Sequence, residues 1–249
     1  MYLHKRFVYV FWAMLLSGTA TAACQDPPAN RVNWSDCDKS GMSLERAPLR
    51  EAVLIKTRLD GANLQGADIT HADLGFSSLK QADLSGVRGK QARLVGADLS
   101  AARLQRARLR GARFDRARLT AADLSRARLA GATFYNAQMQ GAILREADLQ
   151  RAIFDQAELG QADFSRARLG GARFEEALLE QADFSGADLG KAKLAGADLT
   201  EANFSNADLQ GADLSDAELS GAVFTGAKLG NAIWSDRRRC RRGAIGTCR

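Results

Sequence analysis

From Leu44 to Trp234 every fifth residue is apolar, and no insertion breaks the frame. Of these 39 positions only Gly89 lacks a Leu, Ile, Met, Phe or Trp side chain. Two residues earlier, from Ala47 to Ala232, Ala fills 35 of 38 positions, with Thr57, Ser77 and Val87 as the exceptions. A period of five suits neither regular element. In an α-helix five residues advance by about 500°, so successive Leu stand about 140° apart and no face collects them. In a flat strand side chains alternate, and an odd period sends consecutive Leu to opposite sides. The chain must therefore turn a corner every five residues. Ala and the large residue after it then both point inward, four such sides close a coil of 20 residues, and stacked coils form a square-sectioned β-solenoid.

The phenylalanines give an independent check on the coil, because residues stacked on one side must recur at its length. Phe114, Phe134, Phe154 and Phe174 form one ladder at 20-residue spacing, and Phe164, Phe184, Phe204 and Phe224 form a second, displaced by ten residues. A displacement of half a coil puts the ladders on opposite sides. Leu109 to Leu229 and Leu99 to Leu219, the latter interrupted by Met139, line the other two sides. Aromatic stacking in a packed interior accounts for the pattern.

The repeats Gly61-Ala-Asn-Leu64, Gly96-Ala-Asp-Leu99, Gly186-Ala-Asp-Leu189 and Gly211-Ala-Asp-Leu214 resemble the A(D/N)LXX signature of the pentapeptide-repeat family. The resemblance covers roughly residues 44 to 234. It implies an all-β fold, a right-handed quadrilateral parallel β-helix, here of about ten coils at about 4.8 Å each. The resemblance is specific for fold and nearly silent on function, since members of this family serve many roles.

Outside the repeat, Lys5 and Arg6 precede an apolar run from Phe7 to Leu16 and the small residues Ser17 to Ala23. This order reads as a secretory signal peptide over residues 1–22, with Ala20-Thr21-Ala22 as the cleavage motif. Ten apolar residues fall short of the roughly 20 needed to span a bilayer, and an uncleaved anchor is the competing reading. The expected address is periplasmic or secreted. Cys24 directly follows Ala23, so lipid attachment at Cys24 is a second competing reading, although the usual Leu three residues before the Cys is missing.

The four cysteines, Cys24, Cys37, Cys240 and Cys248, all lie outside the repeat. Four allow three pairings. A disulfide needs Cα atoms within roughly 7 Å, and the ends of a rod are tens of Å apart, so Cys24 with Cys37 and Cys240 with Cys248 is the comfortable pairing. Free thiols are the alternative. Residues 23–43, with Trp34 in frame and Lys39 at a core phase, read as an imperfect first coil capping the repeat of residues 44–235. Residues 236–249 form a basic, Cys-containing tail that either closes the other end or trails from it. Gly89 leaves one core position empty and is expected to mark a bulge or groove.

Charge is segregated along the repeat. Between Arg88 and Arg128 twelve basic and three acidic residues give a net +9, whereas between Gln181 and Asp236 three basic and nine acidic residues give −6. Arg106, Arg108, Arg126 and Arg128 recur at coil spacing and form a candidate anion-binding or partner-binding face, with a solvated salt-bridge ladder as the bland alternative. Arg237, Arg238, Arg239, Arg241 and Arg242 around Cys240 form a second basic cluster, read as a flexible solvated tail or a contact to an anionic surface.

These features point to a noncatalytic exported protein acting as a structural or interaction scaffold in the cell envelope. Its expected partner is a protein or an anionic envelope component, or a second copy through dimerisation or end-to-end association. Nucleic acid is disfavoured outside the cytoplasm. The family resemblance carries an alternative, that of the quinolone-resistance pentapeptide proteins, which mimic DNA and bind DNA gyrase. An export signal and a basic central belt both oppose it. Catalysis, a metal and a cofactor are not expected: His71 is the one histidine after the signal, and the outward carboxylates Asp198, Asp208, Asp213 and Glu218 follow from the repeat itself.

Overall fold

The computed structural model describes residues 24–248, so the candidate signal peptide over residues 1–22 lies outside the described residues. The chain winds as a right-handed β-helix with parallel bridges between residues 20 apart, from Asn33↔Val53 through Asp213↔Ile233. The coil backbone thus begins at Arg31, inside the segment read as a cap, and carries on through Leu44 without a break.

One repeat shows why the pentapeptide closes a side. Asp123 N–H donates to the Ala102 carbonyl of the preceding coil at 3.0 Å, while Leu124 N–H and Arg126 N–H donate to Ile143 and Arg145 of the next coil at 2.7 and 2.9 Å. Ala127 N–H donates back across the corner to Leu124 at 3.0 Å. One donor, Ser125 N–H, finds no carbonyl in this ladder, and the Asp123 side chain accepts it at 2.9 Å. The same contact recurs at Asp83–Ser85, Asp98–Ser100, Asp183–Ser185 and Asp213–Ser215. Asp or Asn before the core Leu therefore satisfies the one backbone donor that the coil leaves over.

The corner falls two residues after each large core residue. All 41 corner residues from Arg31 to Asn231 have positive φ, between 53° and 72°, and glycine occupies 14 of them. The remaining corners hold Arg, Gln, Glu, Asn and other residues in a left-handed conformation that costs about 1–2 kcal/mol each. The coil-to-coil hydrogen bonds and the filled core hold them there.

Inside, the large residues and the alanines are almost wholly buried. Phe114, Phe134, Phe154 and Phe174 stack with ring centroids 4.7–4.9 Å apart, and Phe164, Phe184, Phe204 and Phe224 stack at 4.8–5.0 Å. The ladders meet edge-on across the axis, Phe154 to Phe164 at 5.7 Å. Ring spacing and coil spacing agree, so each ring fills its layer without displacing the backbone.

Gly89 makes no bulge, contrary to the expectation. The bridges Asp68↔Arg88 and Arg88↔Arg108 run straight past it. Ile69 and Leu109, above and below in the same column, close over the vacant position so tightly that a Cβ on Gly89 would lie 2.7 Å from Leu109 Cδ2 and 2.9 Å from Ile69 Cγ1.

Both ends are covered. At the first coil Trp34 is fully buried and its Nε1 donates to the Asp26 carbonyl at 3.2 Å. Lys39, at a core phase, lies 4.1 Å from the centre of the Trp34 ring and donates from Nζ to the Cys24 carbonyl at 2.7 Å. A buried ammonium is tolerable here because ring and carbonyl replace its water. Cys24 and Cys37 form a disulfide with Cα atoms 5.5 Å apart. At the other end the chain reverses. Residues 236–248 pair antiparallel to the last coil through Ile233↔Arg239 and Lys228↔Ile245, and Cys240 bonds Cys248 with Cα atoms 4.8 Å apart. The trailing-tail reading is thereby corrected: the apolar end of the coil stack demands a cover, and this segment supplies it.

Candidate interaction faces

Within each repeat the residues before and after the core residue point out from a flat side, and the corner residue points out from an edge. This splits the four candidate arginines between two places. Arg106 and Arg126 are corner residues, with φ of 58° and 59°. They line a shallow open groove with Gln65, Ser85, Gln105, Arg145 and Glu146. Arg126 is not free there, since its Nε donates to Glu146 at 3.0 Å. The hydrogen bond and charge of Glu146 raise the Arg126 pKa, and Arg126 in turn holds the Glu146 carboxyl below its ordinary range. Both side chains are exposed, so this pair adds little to stability.

Arg108 and Arg128 stand on a flat side, in one column with Arg88, joined by the bridges Arg88↔Arg108 and Arg108↔Arg128. Beside them, in the column just past the core residue, are Lys90 and Arg110, and Lys90, Arg108, Arg110 and Arg128 line one groove together with Asp148 and Gln150. Arg88 pairs with Asp68 at 3.6 Å. Among the described residues Lys90, Arg106, Arg108, Arg110 and Arg128 have no salt-bridge partner, whereas Arg93, Arg103 and Arg118 of the same belt each have one. Sequence reasoning missed Lys90 and Arg110. The signal was present, because both occupy the slot after a core position one coil apart, yet only the Arg-Ala-Arg pairs stood out in the linear text.

The basic tail is also divided. Arg237 Nη2 donates to Asp216 at 2.8 Å and Arg238 Nε to Asp236 at 2.5 Å, which neutralises two of the five guanidinium groups. Arg239 reaches the Asn231 carbonyl at 3.4 Å, and Arg241 and Arg242 remain on the surface of the end cap. The hydrogen bond and charge of Asp216 raise the Arg237 pKa.

Elsewhere the surface carries inter-coil ion pairs. Arg145 donates to Asp163, whose carboxyl is subject to opposing influences: burial pushes it up, but hydrogen bonds from Ser165 and Arg145 and the charge of Arg145 bring it below the ordinary range. Among the described residues no group of His, Cys, Asp and Glu is placed to hold a metal ion.

This geometry, a four-sided right-handed coil stack closed by a cap at each end, defines the class of pentapeptide-repeat β-helices. The sequence matches the pentapeptide repeats family in eight copies, beginning with residues 44–86 and continuing from 92–131 to 182–221, and the chain belongs to that family. It is similar in structure to HetL, a pentapeptide repeat protein involved in heterocyst differentiation regulation from the cyanobacterium Nostoc sp. strain PCC 7120. That likeness has 30% identity and a TM-score of 0.58, covering 84% of this chain and 92% of HetL. A trypsin-treated variant of QnrB1, a plasmid-mediated fluoroquinolone resistance protein, is similar in fold, at 23% identity and a TM-score of 0.59 over 72% of this chain and 90% of that one. No curated protein sequence matches the chain.

Proposed function

We propose that this protein is an exported, noncatalytic scaffold of the cell envelope, a rigid rod that presents charged flat faces to a partner. The observation that carries the reading is the pairing of Cys24 with Cys37 and of Cys240 with Cys248, each within disulfide reach and each stapling one end cap. Disulfides persist in oxidising compartments. The segment from Lys5 to Ala22, with its basic start, apolar run and small-residue end, supports the same address. A convex rod whose grooves are shallow and open offers no enclosed site for chemistry, which supports a binding rather than a catalytic role.

Fractionation of the native host with intact mass measurement of the recovered chain tests this. The expected result is a periplasmic or secreted chain beginning at Ala23 or Cys24 and four hydrogens lighter than its reduced mass. A cytoplasmic chain that retains Met1 and carries free thiols overturns it, and a mass increment of lipid on Cys24 would replace the free rod with a tethered one that lacks the Cys24–Cys37 staple, because the lipid thioether consumes that sulfur.

A further inference from the structure

The unpaired cations Lys90, Arg108, Arg110 and Arg128 share one flat side of the rod. The opposite side, displaced by ten residues in the coil, carries the bridged column Glu158↔Leu178↔Asp198↔Glu218 toward the C-terminal end. Glu180 stands beside this column in the slot just past core Leu179. Among the described residues Glu158, Glu180, Asp198 and Glu218 have no salt-bridge partner, although carboxylates elsewhere on the rod, such as Asp163, Asp208 and Asp216, do. Hydrogen bonds from Ser220 hold the Glu218 carboxyl below its ordinary range against the opposing charge of Asp198. Leu178 lies in the middle of it, 45% exposed, an apolar group with no cover on an otherwise polar side.

We propose that the basic side of one copy docks on the acidic side of a second copy. The two ladders are built on the same coil spacing, seen in the 4.7–5.0 Å steps of the phenylalanine stacks, so cations and carboxylates on facing sides fall into register rung by rung. The aliphatic arms of Arg108 and Arg128 would cover Leu178 while their guanidinium groups reach the carboxylates. Because the two sides are opposite, each copy engages one neighbour with its basic side and a different one with its acidic side. The contact is heterologous and does not close, so copies add in a staggered row. The basic patch centres near Arg108 and the acidic one between Leu178 and Asp198, about four coils further along the rod, which sets a stagger of about 19 Å.

The association is independent of the cellular address, since the purified chain alone displays it. Sedimentation velocity of the oxidised, full mature chain should show dimers and larger species in about 50 mM salt and monomer in about 0.5 M, where screening shortens the Debye length severalfold. The triple variant Arg108→Glu, Arg110→Glu, Arg128→Glu and the double variant Glu158→Lys, Glu180→Lys should each be monomeric alone in low salt. Mixed together they should associate again, because the intact acidic side of the first meets the intact basic side of the second. Melting temperature and circular dichroism establish that each variant is folded, and Arg108→Gln, Arg110→Gln, Arg128→Gln replaces the triple reversal if it is not. A salt-independent monomer, a dimer indifferent to both reversals, or a mixture that stays monomeric overturns the proposal. So does association that appears only when inorganic polyphosphate is added, which would assign the basic side to an external polyanion.

Discussion

Phe154 and Phe76 are the same residue type at two phases of the repeat, and truncating each to alanine separates core from surface. Phe154 is fully buried, stacked on Phe134 at 4.7 Å and Phe174 at 4.8 Å, with Phe164 edge-on at 5.7 Å. Removing its ring loses about 2–3 kcal/mol of burial and three aromatic contacts of about 0.5–1.5 kcal/mol each, part of which is recovered as neighbours relax. Phe-to-Ala changes in cores cost about 3–5 kcal/mol, and the coil spacing here is pinned by the hydrogen-bond ladder, so relaxation is small and the upper half of that range is expected. Phe76 sits at a corner, 64% exposed, its ring resting over Gly96. Its truncation should cost no more than about 0.5 kcal/mol. Guanidinium unfolding followed by far-ultraviolet circular dichroism, with disulfides intact, measures both. A loss below about 1 kcal/mol for Phe154→Ala, or similar losses for the two variants, would refute the assignment of inside and outside by phase.

Three further outcomes follow from the same structure. Gly131 has φ of 68° and open space around its α-carbon, so Gly131→Ala should destabilise by about 1 kcal/mol through backbone conformation alone, and an unchanged unfolding midpoint would count against the corner assignment. Replacing a cysteine pair by serine, Cys24 with Cys37 or Cys240 with Cys248, releases segments with sequence separations of 13 and 8 residues, which corresponds to about 3 and about 2.5 kcal/mol of chain entropy; no change in the midpoint would show that the staples are dispensable. The carboxyls of Asp68, Asp98 and Asp163 lie below the ordinary 3.8, burial being outweighed by hydrogen bonds and nearby cations. A depressed carboxylate stabilises above its unfolded pKa and loses that contribution as pH falls through its folded value, so the melting temperature should hold from pH 7 to about 5 and drop below about 4. Asp163→Asn should blunt the drop, and a melting temperature that rises on acidification would contradict the sign.

The fold was legible because a five-residue period excludes helix and flat strand outright, and because the Phe ladders fix the coil length independently. Side-chain phase is a discrete variable, and one residue of slip would expose the whole Leu column. The corner was less visible: its sign in the sequence is the glycine enrichment at one phase, diluted by the many Arg, Gln and Glu that the coil holds at positive φ. Gly89 misled because an absent core side chain reads as a defect in a linear text, whereas Ile69 and Leu109 share its column and fill the gap. The tail misled for the opposite reason. Five arginines suggest solvent, but Cys240 and the exposed end of the coil stack determine where the chain goes.

The candidate interaction face was only half legible. Arg106 and Arg108 are two residues apart, yet the corner between them sends one to an edge and the other to a flat side. Adjacency across coils, which brings Lys90 beside Arg108 and Arg110, appears only when the chain is wound. Pairing is harder still to read, since Arg126 and Arg128 each have a carboxylate one coil further on in the same column, Glu146 and Asp148, yet Glu146 pairs with Arg126 while Asp148 pairs with Arg168.

Phase within the pentapeptide determines which way each residue faces, and thiol accessibility tests this most directly. All four native cysteines are in disulfides, so a maleimide reports only an introduced thiol. With Arg128→Cys, Leu129→Cys and Ala130→Cys placed singly in the oxidised chain, the outer two should label within minutes and Leu129→Cys should resist until the chain is unfolded. Equal labelling at all three, or protection at 128 or 130 with exposure at 129, would contradict the structure and the faces drawn from it.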